Sequence, residues 1–419
     1  MTREQQQETW TVRGSDRDEF PRIARVTSEA LLAQHDLDTV LERALPLHDA
    51  EGYERFLVAE DEGQVVGTTN YFRFEMALPG GVRPVAGVTG VGVWPTHRRR
   101  GVLSALMRRQ LADIREAGGR YAALWASEGA IYGRFGYGPA ATEINAAVRR
   151  PYTALRADAP RDGSLVGRLT DPQEALPDME EVHRQVAASQ NGQFRRAPQW
   201  WRRMLSDRPE QRGDKGPLRA FVVGGPGGPQ GYALYRTLAR YEQDGAYGEV
   251  HVTEVHAIAP AAWTALYEHL FSRDLTDRVL FPFLAEDNPL LYLAADRDRV
   301  LRQHSTSLWI RLVDVPGALS ERSWAAPVEA VLEVGDRFAP WNAGRWRLEA
   351  DASGARVEGT GAAPDIALDV SHLGAAHLGQ TPLSGYLRAG LLTEYTPGAV
   401  ARLDAALHRP DAPFCGLIF

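Results

Sequence analysis

The stretch Gly90 to Ser104 reads GVGVWPTHRRRGVLS. An apolar run, Val88 to Val93, stops at Pro95; Arg98, Arg99 and Arg100 follow, then Gly101. Beyond it Leu103, Leu106, Met107, Leu111 and Ile114 recur at spacings near 3.6, the period of an amphipathic helix. The stretch predicts a strand, a basic turn and a helix running from Arg99 to Gly118-Gly119. A helix start presents backbone N–H groups without intrahelical acceptors, at the positive end of the dipole. Gly101 lets a ligand approach the backbone closely. Arg99, Arg100, Gly101, Val102, Leu103 and Ser104 would together make a diphosphate seat. The same local pattern reads equally as a surface turn with a solvated charge run.

Upstream, Glu19 to Leu45 carries helical patterning that Pro46 should stop. Arg55 to Ala59 reads as a short strand, and Gln64 to Leu78 as a long one alternating around Val66, Thr68, Tyr71 and Phe72. Pro79-Gly80-Gly81 turns the chain into the central strand, Val85 to Val93. Downstream, Tyr121 to Trp125 is a further strand. Residues 1 to 10 are polar and expected to fray.

The flanking motifs carry a resemblance. VGVWPTHRRRGVLSALM resembles the acetyl-CoA loop of the GNAT acetyltransferases, with Arg98, Gly101 and Leu103 at its marked positions. Leu103 replaces the usual small residue, which suits one branch. Val93-x-Pro-Thr-His-Arg-Arg-Arg-Gly, followed by Ala126-Ser-Glu-Gly-x-Ile-Tyr-Gly-Arg-Phe-Gly-Tyr-Gly138, is similar to the Eis (enhanced intracellular survival) acetyltransferases. The implied fold class is α+β: tandem GNAT-like domains, the second degenerate, then a sterol-carrier-protein-like α+β domain. The implied divisions are 1–150, 151–303 and 304–419.

The second unit follows the linker ADAPRDG, Ala157 to Gly163, and repeats the order of the first: strand, glycine turn, strand, hairpin, strand, proline, helix. After Pro260, however, stands Ala261-Ala-Trp263 where the first copy has Thr96-His-Arg-Arg-Arg-Gly101. Without glycine or arginines this copy should seat no diphosphate. The third part, from about Ser307, shows strands (Leu308 to Leu312 first among them) and then helices, an α+β order. PDIALDVSHLGAAHLG, Pro364 to Gly379, and TPGAVARLDAAL, Thr396 to Leu407, resemble the Eis family's sterol-carrier-like tail.

Composition narrows the function classes. The 419 residues are 44% hydrophobic and 24% charged, and 47 Lys+Arg against 54 Asp+Glu give a net charge of −7. That argues against nucleic acid and favours a cationic partner. The single Cys415 excludes an intramolecular disulfide and a multi-cysteine metal site, and fits a reducing compartment. No apolar stretch suggests a membrane span, and MTREQQQETW lacks a signal-peptide core. A cytoplasmic enzyme, without metal or membrane partner, is the expectation.

Acyl transfer from CoA to an amine needs a diphosphate seat, a grip on pantetheine, a base and a proton for the leaving thiolate. The grip is expected from the backbone of Val91, Gly92 and Val93, where splayed strands leave an edge to pair with amides. By resemblance Ser127 and Glu128 face the same crevice. A tyrosine hydroxyl, with pKa about 10, is protonated at neutral pH and can serve a thiolate whose conjugate acid lies near 8.5. Tyr132 and Tyr137 could both be packing residues by spacing alone; the Eis motif implies that Tyr132 is catalytic. None of the eleven histidines falls in a recognisable motif except His97, read as structuring the loop. The Eis resemblance implies that the terminal carboxylate, here Phe419, serves as base or orients the ammonium. It further implies acetyl-CoA as acyl donor, a cationic amine such as an aminoglycoside as acceptor, and a homohexamer. A polyamine or protein-lysine acetyltransferase, or a non-catalytic acyl-CoA or lipid carrier, are the other readings.

Overall fold

The computed structural model describes residues 9–419. The amino-terminal part runs β1 (Thr11–Gly14), α1 (Phe20–Ala30), α2 (Leu37–Glu51), β2 (Leu57–Asp61), β3 (Gln64–Leu78), β4 (Gly81–Val93), α3 (Val102–Glu116), β5 (Tyr121–Trp125), α4 (Gly129–Tyr132), β6 (Gly138–Pro139) and β7 (Thr142–Arg149). Of the fraying expected over residues 1 to 10, residues 1–8 lie outside the described part. Trp10 does not fray: it is buried beside Leu57, Ala59 and Leu106.

Pro46 does not stop the second helix, which continues to Glu51. A proline inside a helix forfeits a hydrogen bond and costs about 3 kcal/mol. Here the next turn is anchored. Leu47 is buried, and the His48 ring sits 4.8 Å from Phe20, 5.0 Å from Phe56 and stacked 5.2 Å from Phe72. Tertiary packing outweighs the local break. α3 starts at Val102 rather than Arg99, because Arg99 and Gly101 both take positive φ, +64° and +89°, and form the turn itself.

β3 and β4 form a long hairpin whose register slips between Thr68↔Gly92 and Asn70↔Thr89. The extra residue lies at Gly90–Val91, and Gly90 adopts φ +60° there; a Cβ would stand 2.5 Å from the Asn70 amide oxygen. Such a bulge bends the strand and re-aims the residues beyond it. β4 then pairs with β5 in parallel only at Ala86↔Ala122 and Gly87↔Ala123. Beyond Gly87 the two strands part, leaving the β4 edge over Val91–Val93 free on that side.

The strand Leu308–Leu312, which the sequence places at the opening of the third part, pairs antiparallel with β5 in the first sheet. That sheet runs β1-β2-β3-β4-β5, then Leu308–Leu312, then β6. β7 goes the other way. It lies in the second sheet between Val300–Thr306 and Thr276–Ala285, followed by Gly248–Ala257, Gly228–Leu238, Arg219–Gly225 and Val166–Thr170. The two sheets thus exchange strands. The third sheet orders Gly354–Gly359, Gly344–Asp351, Val328–Gly335, Ile366–Asp369 and Thr393–Glu394. Leu332, Leu348, Ile366, Leu373 and Leu403 fill its core with the helices beyond them in the chain.

Candidate active site

A cavity of 460 Å³ opens where β4 and β5 part. Its floor is the end of β4: Val91, Gly92 and Val93 line it. A Cβ on Gly92 would stand 3.0 Å from the Ala30 methyl, so glycine lets α1 pack onto the strand there. One end is the turn into α3, where Arg98, Arg99, Gly101, Val102, Leu103 and Ser104 line the wall. The first N–H groups of α3 have no intrahelical acceptor. The buried face of α3, Leu106, Met107, Leu111 and Ile114, fixes the axis along which its dipole points.

The two remaining basic-turn side chains bond to the turn and to Asp61, although His97 also lines the cavity. His97 bonds Asp61 through Nε2 at 3.0 Å and Thr96 through Nδ1 at 2.9 Å. Arg100 does not line the cavity; its guanidinium lies 3.5 Å from the same Asp61 carboxylate. The Thr9 hydroxyl, His97 and Arg100 together hold the Asp61 carboxyl below its ordinary range. The arginine triplet therefore divides: Arg98 and Arg99 on the cavity, Arg100 on the β2–β3 turn.

The other end is built by the segment after β5. Ser127, Glu128, Ile131, Tyr132 and Arg134 line it. Tyr132 is 9% exposed, and burial, with a smaller push from Glu128, raises its hydroxyl to about 12. Tyr137 is fully buried, 6.1 Å from the Tyr132 ring centre, with a hydroxyl that has no partner among the described residues. It is a packing residue.

The last residues dock. Ala412 N–H donates to Asp287 at 2.7 Å, the Trp125 indole N–H to the Cys415 sulfur at 3.3 Å, and burial pushes the Cys415 thiol up to about 12. The Phe419 ring stands 5.0 Å from Phe74 and 5.2 Å from Phe194. It reaches Gly87, whose hypothetical Cβ would be 3.1 Å from Phe419 Cε2. Phe419 thus lies where β4 and β5 separate, but not on the wall of the cavity itself.

Ala30, Leu31, Ile131 and Arg134 also line the cavity, although sequence reasoning does not single them out. Ile131 and Arg134 were legible, since they sit inside the Gly129–Gly138 motif; Ala30 and Leu31 reach the cavity only through the packing of α1. In the second unit the helix Pro260–Phe271 starts at Ala259, whose carbonyl accepts from Ala262 N–H at 3.1 Å and Trp263 N–H at 3.3 Å. A group unseen in the sequence lies nearby: His183, Glu254 and His256 bring ligand-type atoms within 4.8 Å of one another. Arg196 donates to both Glu254 oxygens and the Tyr232 hydroxyl to one at 2.8 Å, so a buried ion pair already occupies that carboxylate.

Comparison with known proteins agrees with this fold. Models of an acetyltransferase (GNAT) domain match residues 11–140 and, separately, 192–312; a sterol carrier protein domain matches 315–416. An uncharacterized N-acetyltransferase of Streptomyces coelicolor is 40% identical over 350 residues, 83% of this chain and 84% of that one. N-acetyltransferase Eis of Mycobacterium tuberculosis is 35% identical over 358 residues, 82% of this chain and 83% of its own. The chain belongs to the Eis family of GNAT N-acetyltransferases. The crystal structure of Eis1 from Mycobacterium abscessus superposes with a TM-score of 0.82 at 31% identity, covering 98% of this chain and 100% of that one. The Eis relationship spans both GNAT units and the sterol-carrier-like unit, as the sequence motifs implied.

Proposed function

We propose that this N-acetyltransferase uses acetyl-CoA and transfers its acetyl group to amines of cationic small molecules, aminoglycosides among them. The observation that carries the reading is one cavity lined both by a basic turn at a helix start and by a buried tyrosine. The N–H groups of residues 101–104 and the Arg99 guanidinium would hold the diphosphate. The free β4 edge at Val91–Val93 would pair with the pantetheine amides, as peptides pair with sheet edges. Ser127 and Glu128 border the same run.

In the transfer, the amine lone pair forms the N–C bond and the C–S bond breaks. Tyr132 donates its hydroxyl hydrogen to the departing thiolate and regains one from the nitrogen as that atom becomes the amide. Being held at about 12, Tyr132 keeps that hydrogen throughout the neutral range. The proton of the attacking ammonium must leave first, and the Phe419 carboxylate is the proposed acceptor or anchor. The packing of the Phe419 ring against Phe74 and Phe194 fixes where the terminus lies. The net charge of −7 suits a cationic acceptor, and the enzyme is proposed to work as a cytoplasmic homohexamer. No helix among the described residues is long and apolar enough to cross a membrane.

The test is thiol release from acetyl-CoA with kanamycin, spermine and a lysine peptide as acceptors. Release with kanamycin supports the reading; release with only spermine or the peptide moves the substrate to polyamines or protein lysine. No release with any of them overturns it.

A further inference from the structure

The second GNAT unit has its own parting of strands. Gly248–Ala257 and Thr276–Ala285 pair in parallel only from Gly248↔Thr276 to His251↔Leu280, then diverge. At their open end lies a second cavity of 400 Å³. Its walls repeat those of the first cavity: the end of a helix at Gln190, a strand end at His256, the following helix at Trp263, and the segment after the other strand at Asp287 and Asn288. Phe414, from the carboxy-terminal tail, closes one side. The site therefore survives where its phosphate grip does not.

The polar groups left open there define a ligand. His256 is 3% exposed and bonds the Glu254 carboxylate through Nε2 at 3.1 Å. Glu254 accepts, so Nε2 carries the hydrogen and Nδ1 is the ring nitrogen left open. Among the described residues that Nδ1 has no partner. Asn288 is 6% exposed; its Oδ1 accepts from the Tyr267 hydroxyl at 2.6 Å and from Leu290 N–H at 2.9 Å. Its amide hydrogens have no partner among the described residues. Asp287 adds a carboxylate, with Glu286 and Asp411 strengthening the negative field. No arginine or lysine lines the cavity. Trp263 and Phe414 supply aromatic walls, which favour a cation.

We propose that this cavity binds a protonated amine bearing hydroxyl groups: the ammonium on Asp287, and the hydroxyls on His256 Nδ1 and the Asn288 amide. It is a binding site distinct from the acetyl-transfer cleft. The absence of the basic turn argues against a diphosphate, and the Asp287 carboxylate with no arginine or lysine beside it argues against any anion.

Triethanolamine is a suitable probe, since a tertiary amine cannot form an amide and the measurement is binding alone. It can therefore be read whether or not the acetyl-transfer assignment holds. Ligand-observed NMR titration of the full chain should show saturable binding. Asp287→Asn keeps an acceptor for Ala412 N–H and removes the charge; affinity should fall at least fivefold. Ser189→Trp, at an exposed helix end on the cavity rim, should obstruct it to the same extent. Tyr132→Phe, in the other cleft, should bind like the wild type. No saturable binding to the wild type, undiminished binding to Asp287→Asn and Ser189→Trp, or a loss confined to Tyr132→Phe would each overturn the proposal.

Discussion

The ring of Phe419 stands against Gly87, the last residue of β4 that pairs with β5. Glycine is what allows it, since a Cβ at this position would enter the Phe74 ring and crowd Phe419. Gly87→Ala should cost about 1–3 kcal/mol through overpacking. It should also displace Phe419, so acetyl transfer should fall further than the lowered melting temperature explains. Thermal unfolding and thiol release on one preparation check both.

Extending the carboxy terminus by a few residues replaces the Phe419 carboxylate with a peptide carbonyl and moves the terminal charge away from the Phe419 ring's seat beside Phe74 and Phe194. Acetyl transfer should drop sharply with little change in melting temperature, while an amino-terminal tag leaves both alone. Amidation of Phe419, which removes only the charge, should match the extension. Full activity in either form would remove the carboxylate from the mechanism.

Tyr132→Phe should lower kcat by about 10²–10⁴-fold, the usual yield of general acid catalysis, with CoA affinity unchanged. With its hydroxyl held at about 12, Tyr132 should impose no alkaline fall in rate below about pH 11. An alkaline limb near pH 9 that disappears in Tyr132→Phe would contradict this.

Arg99→Ala should weaken acetyl-CoA binding at least tenfold, since a charge-assisted contact is worth about 1.5–3 kcal/mol. Arg100→Ala should do less, because its guanidinium faces Asp61. CoA should bind once per chain. Calorimetry of both variants reads the ranking and the stoichiometry together.

Glu143 is buried, and desolvation raises its carboxyl to about 7 despite a hydrogen bond from Ser305. The folded state then binds more protons than the unfolded one between about pH 4.5 and 7, so stability falls as pH rises through that window. Glu143→Gln should raise the melting temperature at pH 8 and do little at pH 4.5. An equal gain at both pH values would mean that the charge is not the cause.

Local patterning placed β3 and β5 at the bounds the structure shows, because alternation and turn residues are written in adjacent positions. It misjudged α2 at Pro46, where the deciding partners include Phe56 and Phe72, downstream just before β2 and on β3. It brought Arg99, Gly101 and Tyr132 to notice, and these share one cavity. It could not separate Arg99 from Arg100, because their directions depend on the positive φ of Arg99. Strand exchange left no trace, since Leu308 pairs with Trp125 across most of the second unit. The His256–Asn288 cavity was hidden for the same reason: neither side chain is unusual until the fold leaves one of its atoms open.

That exchanged strand has a consequence for biogenesis. On the ribosome, β5 emerges about 180 positions before the strand that flanks it. At typical elongation rates this is a wait on the order of 10–40 s, during which one border of the first sheet is bare. The amino-terminal unit is accordingly not a cassette that can be cut at residue 150 and moved to another protein. Truncated there, it would keep its basic turn and carry an unpaired strand border, the feature that drives chains to aggregate.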